Sequence, residues 1–170
     1  MNILLIRSAP LSQCLALFRY LKEVRYPAGV GDAGVRWIWI VQPSAEKEIR
    51  KASEGVEADF LLYDRPWMTY GGLNRLCLER LRRERIDEAY VPYNHVDGRG
   101  YGGIIRFLTA AGVSRIVSHA PVKHFRQVTW KGFVLDRIRA MAGALSAACL
   151  AALALPFALL YYRLKPAFRR

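Results

Sequence analysis

From Ala140 to Tyr162 the chain runs for 23 residues without a charge, AMAGALSAACLAALALPFALLYY. As a helix this run is about 34 Å long at ~1.5 Å per residue, enough to cross a hydrocarbon core of about 30 Å. It exceeds most core helices of soluble domains, so it reads as a membrane-embedded segment. Nothing ahead of it resembles a membrane protein. The expected organisation is a water-soluble domain over 1–120, a basic linker over 121–137, a transmembrane helix over 138–163 and a basic tail over 164–170. Small residues such as Ala142, Gly143, Ser146 and Ala147 offer that helix a close-packing face.

The positive-inside rule does not orient the segment. Arg126, Lys131, Arg137 and Arg139 precede it, and Arg163, Lys165, Arg169 and Arg170 follow it, a tie in basic residues. Pro156 lies within the run and can kink it. Three arrangements fit: a single span with the domain in the cytoplasm, a re-entrant helix with both ends cytoplasmic, or a span packed inside a larger membrane complex.

Charge is unevenly spread. Residues 1–98 carry 14 Lys/Arg and 13 Asp/Glu, whereas residues 99–139 carry eight Lys/Arg against Asp136 alone. A basic cluster beside an apolar segment gains about 1 kcal/mol per residue near an anionic leaflet. Lys131, Arg137, Arg139, Arg163 and Lys165 are therefore expected to contact anionic lipid. Nucleic acid is not an expected partner, since no aromatic–basic interleave or zinc pattern accompanies the charge. Cys14, Cys77 and Cys149 are scattered and form no CxxC, which argues against a disulfide scaffold or a zinc site and fits a reducing compartment. His119 and His124 lack a further ligand at metal-site spacing, so no metal is expected. The N-terminus lacks the charge order of a signal peptide, which places the domain on the cytoplasmic side.

Ahead of the apolar run, strands alternate with helices. Asn2–Ile6, Val35–Val41, Phe60–Tyr63, Glu88–Val91 and Arg115–Ser118 read as buried strands. Helical spacing follows Pro10, recurs over AEKEIRKAS after Ser44, and recurs again over Gly71–Arg85 and Gly103–Ala111. This order predicts an α/β fold, a single Rossmann-like parallel sheet with helices on both faces. His119–Val134 reads as a linker lying along the membrane.

The loop before the fourth helix holds Asn94, His95, Asp97, Arg99 and Gly100. Its Gly98–Gly103 segment matches GxGxxG. No acid follows about 20 residues later to hold a ribose, and the loop follows the fourth strand where the dinucleotide fingerprint follows the first, so no cofactor is expected. In open α/β sheets ligands sit beyond the carboxyl ends of the strands. This loop and the one after the first strand, with Ser8, Ser12 and Gln13, lie at that edge and form the expected ligand-binding set. His95 with Asp97 could form an acid/base pair; a solvated polar loop is the alternative.

The opening MNILLIRSAPLSQCLALFRYLKE and the segment RLRRERIDEAYVPYNHVDGRGYGGIIRFLTAAGVSRIV resemble the N-terminal, acceptor-side half of the heptosyltransferase-like glycosyltransferases, family 9, of GT-B architecture. The resemblance covers about residues 1–120. It implies half of a GT-B fold and a role in glycan or polysaccharide synthesis. Two departures matter. The family opens its first helix with Gly-Asp, whose Asp is thought to be the general base; Ser12 and Gln13 stand there in this chain. An amide cannot take the proton, so no catalytic residue is assigned and the chain reads as a pseudoenzyme. The nucleotide-sugar domain of a GT-B enzyme is also missing from this sequence. The resemblance thus implies a membrane-anchored domain that binds an acceptor or docks a partner glycosyltransferase. The alternative is a non-enzymatic accessory subunit of an integral membrane complex.

Overall fold

A computed structural model of the chain describes residues 1–27, 34–94, 100–120 and 125–164. It divides into two units, Met1–Trp130 and Lys131–Arg170. The first comprises β1 (Asn2–Ile6), α1 (Leu11–Tyr20), β2 (Arg36–Val41), α2 (Pro43–Ala52), β3 (Ala58–Leu62), α3 (Tyr70–Glu84), β4 (Glu88–Pro92), α4 (Gly102–Ala110), β5 (Arg115–His119) and β6 (Phe125–Gln127). Helix α5 runs from Trp130 to Leu164.

The six strands form one sheet in the order β3-β2-β1-β4-β5-β6. Neighbours from β3 to β5 are parallel, and β6 runs antiparallel to β5. The purely parallel expectation is corrected at this edge. Within the stretch expected to be linker, Phe125–Gln127 is a strand, because Val128 donates its amide to the Ile116 carbonyl at 2.8 Å and Ser118 Oγ donates to the Arg126 carbonyl at 3.1 Å. Phe125 fastens it further, stacking on Tyr20 at 5.4 Å, meeting Tyr90 edge-on at 6.5 Å and lying tilted against His119 at 4.8 Å. Three residues with one apolar side chain leave too little alternation for a strand to be legible.

Successive strand residues point to opposite faces. On one face Ile3, Leu5, Trp37, Trp39 and Tyr90 pack with Leu17, Phe18 and Leu21 of α1 and its extension and with Ile49 of α2. Phe18 meets Trp37 and Trp39 edge-on at 5.0 and 5.3 Å, the geometry that aromatic quadrupoles favour. Leu4, Ile6, Ile38, Ile40 and Val91 alternate to the other face and are buried too. Both faces are therefore covered, which explains why β1 and β4 read as almost unbroken apolar runs.

The chain leaves β1 toward β2 and β3 on one side, then returns through α3 to β4 on the other side of β1. That reversal opens a crevice beyond the carboxyl ends of β1 and β4, where the flanking loops diverge.

In the second unit, α5 is continuous through Pro156, and Trp130–Leu155 has a mean hydropathy of 1.8 with no part of it buried. The 35-residue helix is about 52 Å long at ~1.5 Å per residue, well beyond a hydrocarbon core of about 30 Å. It begins earlier than expected, taking in Lys131–Arg137. Ser146 Oγ donates to the Ala142 carbonyl at 2.9 Å, so its hydroxyl is satisfied within the helix, as an apolar surrounding requires. The unit is a long apolar helix consistent with a membrane span.

Candidate functional site

The crevice is a cleft of about 530 Å³ lined by Arg7, Ser8, Pro10, Gln42, Trp67, Thr69, Asn94, Gly100 and Tyr101, among others. Each wall follows from a strand ending. Arg7 to Pro10 join β1 to α1, Gln42 joins β2 to α2, Pro66 to Thr69 precede α3, Asn94 follows β4, and Gly100 and Tyr101 precede α4. The amino ends of four helices therefore border the cleft. Thr69 caps α3 by accepting from the Gly72 amide at 3.2 Å, while α1, α2 and α4 have no side-chain cap. Uncapped amides carry the positive end of the helix dipole.

The cleft is held by a small set of polar contacts. The Tyr101 hydroxyl donates to the Ser8 carbonyl at 2.9 Å and accepts from the Asn94 amide at 2.8 Å. Its ring lies 4.3 Å from that of Tyr93. Burial, the largest influence on it, pushes the Tyr101 phenol up from its ordinary value, so it stays a donor. Ser8 Oγ donates to the Pro92 carbonyl at 2.9 Å; its proton points into the fold, and toward the cleft it can offer only a lone pair. On the opposite wall the Tyr63 hydroxyl donates to the Trp67 carbonyl at 2.9 Å and accepts from the Thr69 amide at 3.2 Å. That contact fixes a loop whose Trp67 side chain stands 80% exposed.

Arg7 is the one charged side chain lining the cleft among the described residues. Its Nη1 donates to Gln42 Oε1 at 2.8 Å, and its Nε is buried with no partner. No carboxylate pairs with it among the described residues.

The sequence-derived candidates separate on the structure. Ser8, Asn94 and Gly100 line the cleft. Gly100 has a φ of +84°, a left-handed conformation that favours glycine. Gln13 turns its amide Nε2 to the Tyr93 carbonyl at 2.9 Å, so it ties α1 to the end of β4. Ser12 is exposed on α1 and does not line the cleft. His95, Asp97 and Arg99, with the acid/base pair suggested for them, lie outside the described residues, as do His124 and Lys165. Lys131 and Arg139 are exposed on the first turns of α5, and Arg137 lies over the Phe133 ring at 5.4 Å; of Arg163 only the backbone is described. Arg7, Gln42, Trp67 and Tyr101 were not among the candidates drawn from the sequence, although Tyr101 lies within the Gly98–Gly103 segment. Their common signal is position, each lying shortly after a strand end or just before a helix start.

Burial pushes the Cys14 thiol up to about 11 and the Cys77 thiol up to about 12, so neither is a thiolate nucleophile near neutral pH. Among the described residues no group of three His, Cys, Asp or Glu is placed to hold a metal ion.

A second polar cluster lies at the opposite, amino end of the sheet. Glu88, 7% exposed, accepts from Tyr26 at 2.5 Å, from Tyr90 at 2.7 Å and from Arg115 at 2.9 Å, with Arg25 at 3.4 Å. A π-helical turn over Leu21–Arg25, closed by the Tyr26 amide on the Leu21 carbonyl, delivers Arg25 and Tyr26 to it. Burial pushes the Glu88 carboxyl up, but the hydrogen bonds from Tyr26 and Tyr90 and the charges of Arg25 and Arg115 outweigh it and hold it below its ordinary value. Arg115, part of the basic stretch in the sequence, is thereby engaged inside the domain. Both oxygens of this carboxylate accept hydrogen bonds from within the domain, so the cluster reads as a structural pin.

Family models, curated proteins and solved structures show no match to this chain.

Proposed function

We propose that this protein is a membrane-anchored, glycosyltransferase-like binding domain that presents a saccharide acceptor, or docks a partner transferase, without doing the chemistry alone. The observation that carries the reading is the joining of a cleft at the strand-order reversal to a chain with an apolar helix long enough to span a bilayer. The resemblance of residues 1–120 to the acceptor-side half of the heptosyltransferase-like family supports the saccharide class. Gln13 supports the absence of catalysis: its amide is turned to the Tyr93 carbonyl and has no proton-accepting nitrogen or carboxylate to offer. Anchoring raises the local concentration of a membrane-bound ligand, and Lys131, Arg137 and Arg139 at the start of α5 are suited to anionic headgroups.

The test is gentle detergent extraction of the full-length protein, identification of what co-purifies, and assay of sugar transfer from a nucleotide-sugar. Transfer by the pair and by neither chain alone is the expected result. Transfer by the isolated protein overturns the reading. Co-purification with a membrane complex that has no role in glycan synthesis favours an accessory subunit instead.

A further inference from the structure

Arg7 faces the cleft with no acid beside it among the described residues. Arg7 meets only the neutral Gln42 amide through Nη1, and its buried Nε has no partner among the described residues. A buried N–H left unpaired costs free energy. The guanidinium fork matches the oxygens of a phosphate or carboxylate. The surroundings have the same sign. The lining contains no Asp or Glu among the described residues, and the uncapped amino ends of α1, α2 and α4 border it, each favouring an anion. Ser8 adds little donor capacity, because its proton goes to Pro92. Trp67 supplies the other half of a recognition surface. It lines the same cleft, 80% exposed, on a loop held by Tyr63, and an aromatic face offered to solvent is a platform for a ring with an apolar side.

We infer that the cleft is a phosphate-binding site in which Arg7 holds the anion and Trp67 carries the ring of a phosphorylated sugar. The sugar part of this inference rests on the saccharide-binding reading above; the phosphate part rests on the cleft alone. The phosphate can belong to a lipid-linked headgroup or to a soluble sugar phosphate, since the chemistry presented to Arg7 is the same.

The experiment uses the full-length protein in detergent micelles, titrated calorimetrically with inorganic pyrophosphate, glucose 1-phosphate and uridine diphosphate at fixed ionic strength. Saturable pyrophosphate binding is expected, weakened roughly tenfold or more in Arg7→Gln, which removes the charge, and less in Arg7→Lys. Unchanged melting of each variant separates lost binding from lost folding. Trp67→Ala is expected to weaken glucose 1-phosphate and leave pyrophosphate unchanged. Reconstitution into phosphatidylcholine nanodiscs with and without phosphatidic acid distinguishes the sources: competition by the anionic lipid supports a headgroup phosphate, and its absence supports a soluble one. No saturable pyrophosphate binding, or equal binding by Arg7→Gln, overturns the site. Trp67-dependent binding of uridine diphosphate that exceeds glucose 1-phosphate overturns the sugar and makes the ring a nucleobase. Membrane extraction and partner capture, read on the same preparations, report separately on the proposed function.

Discussion

The Tyr101 hydroxyl donates to the Ser8 carbonyl at 2.9 Å, joining two loops separated by 93 positions in sequence. The same oxygen accepts from the Asn94 amide, so one phenol holds the two loops that flank the reversal between β1 and β4. Tyr101→Phe leaves both backbone groups without this partner and is expected to destabilise the domain by about 1–3 kcal/mol. Denaturant unfolding of the full-length protein in detergent measures it. Stability equal to that of the wild type would show that the bridge is not holding the loops.

Gly72 packs against the wall that carries Trp67. A Cβ there would collide with the Tyr63 hydroxyl, which ties that loop to Trp67 and Thr69. Gly72→Ala is expected to cost about 1–3 kcal/mol through overpacking. Because Tyr63→Phe removes the colliding oxygen, the double variant should lose less than the two single losses combined, by about 0.5–1 kcal/mol. Strict additivity of the melting data would place the strain elsewhere.

Glu88 makes stability depend on acid. Its folded-state value lies below the ordinary carboxylate range, so the unfolded chain binds the proton first as pH falls. The stabilisation is complete above the ordinary Glu value of ~4.3 and is lost as pH drops through the lower folded value. Glu88→Gln should therefore be less stable than wild type at neutral pH, with the gap closing below about pH 4. Unfolding free energies from pH 3 to 7 provide the check; a gap independent of pH would contradict the assigned electrostatics.

The apolar helix is tested by charge. Ala147 and Leu150 lie in the uncharged part of α5 and are exposed. Arginine at either position costs about 2.5–3.5 kcal/mol at the centre of a membrane helix. The Ala147→Arg, Leu150→Arg double variant is expected to move from the carbonate-resistant membrane fraction to the wash. Retention of the variant in the membrane would rule out this segment as the anchor.

Much of the architecture was legible because it depends on short-range pattern. The apolar runs of β1, β2 and β4 are buried on both faces, so no alternation hides them; the spacing of Leu73, Leu76, Cys77 and Leu81 marks the inner stripe of α3, except that Leu76 lies at its edge and is exposed. Strand β6 was not legible, because its place depends on Phe125 finding Tyr20, Tyr90 and His119. Ser8, Asn94 and Gly100 could be placed at the cleft from the rule that parallel strands present their loops at one edge. Ser12 and Gln13 could not be separated from them, because the rotation of α1 decides which side chain faces the cleft.

The sequence alone determined that an alternating strand-and-helix body precedes a helix greasy enough for lipid, since hydrophobic periodicity and length are local properties of the chain. Only tertiary structure decided which polar residues meet. Arg7, Gln42, Trp67 and Tyr101 are brought together by strand order, and Glu88 acquires Tyr26 and Arg115 by register and by one widened helical turn. Electrostatic character follows distance in space, and the return of the chain through α3 sets those distances.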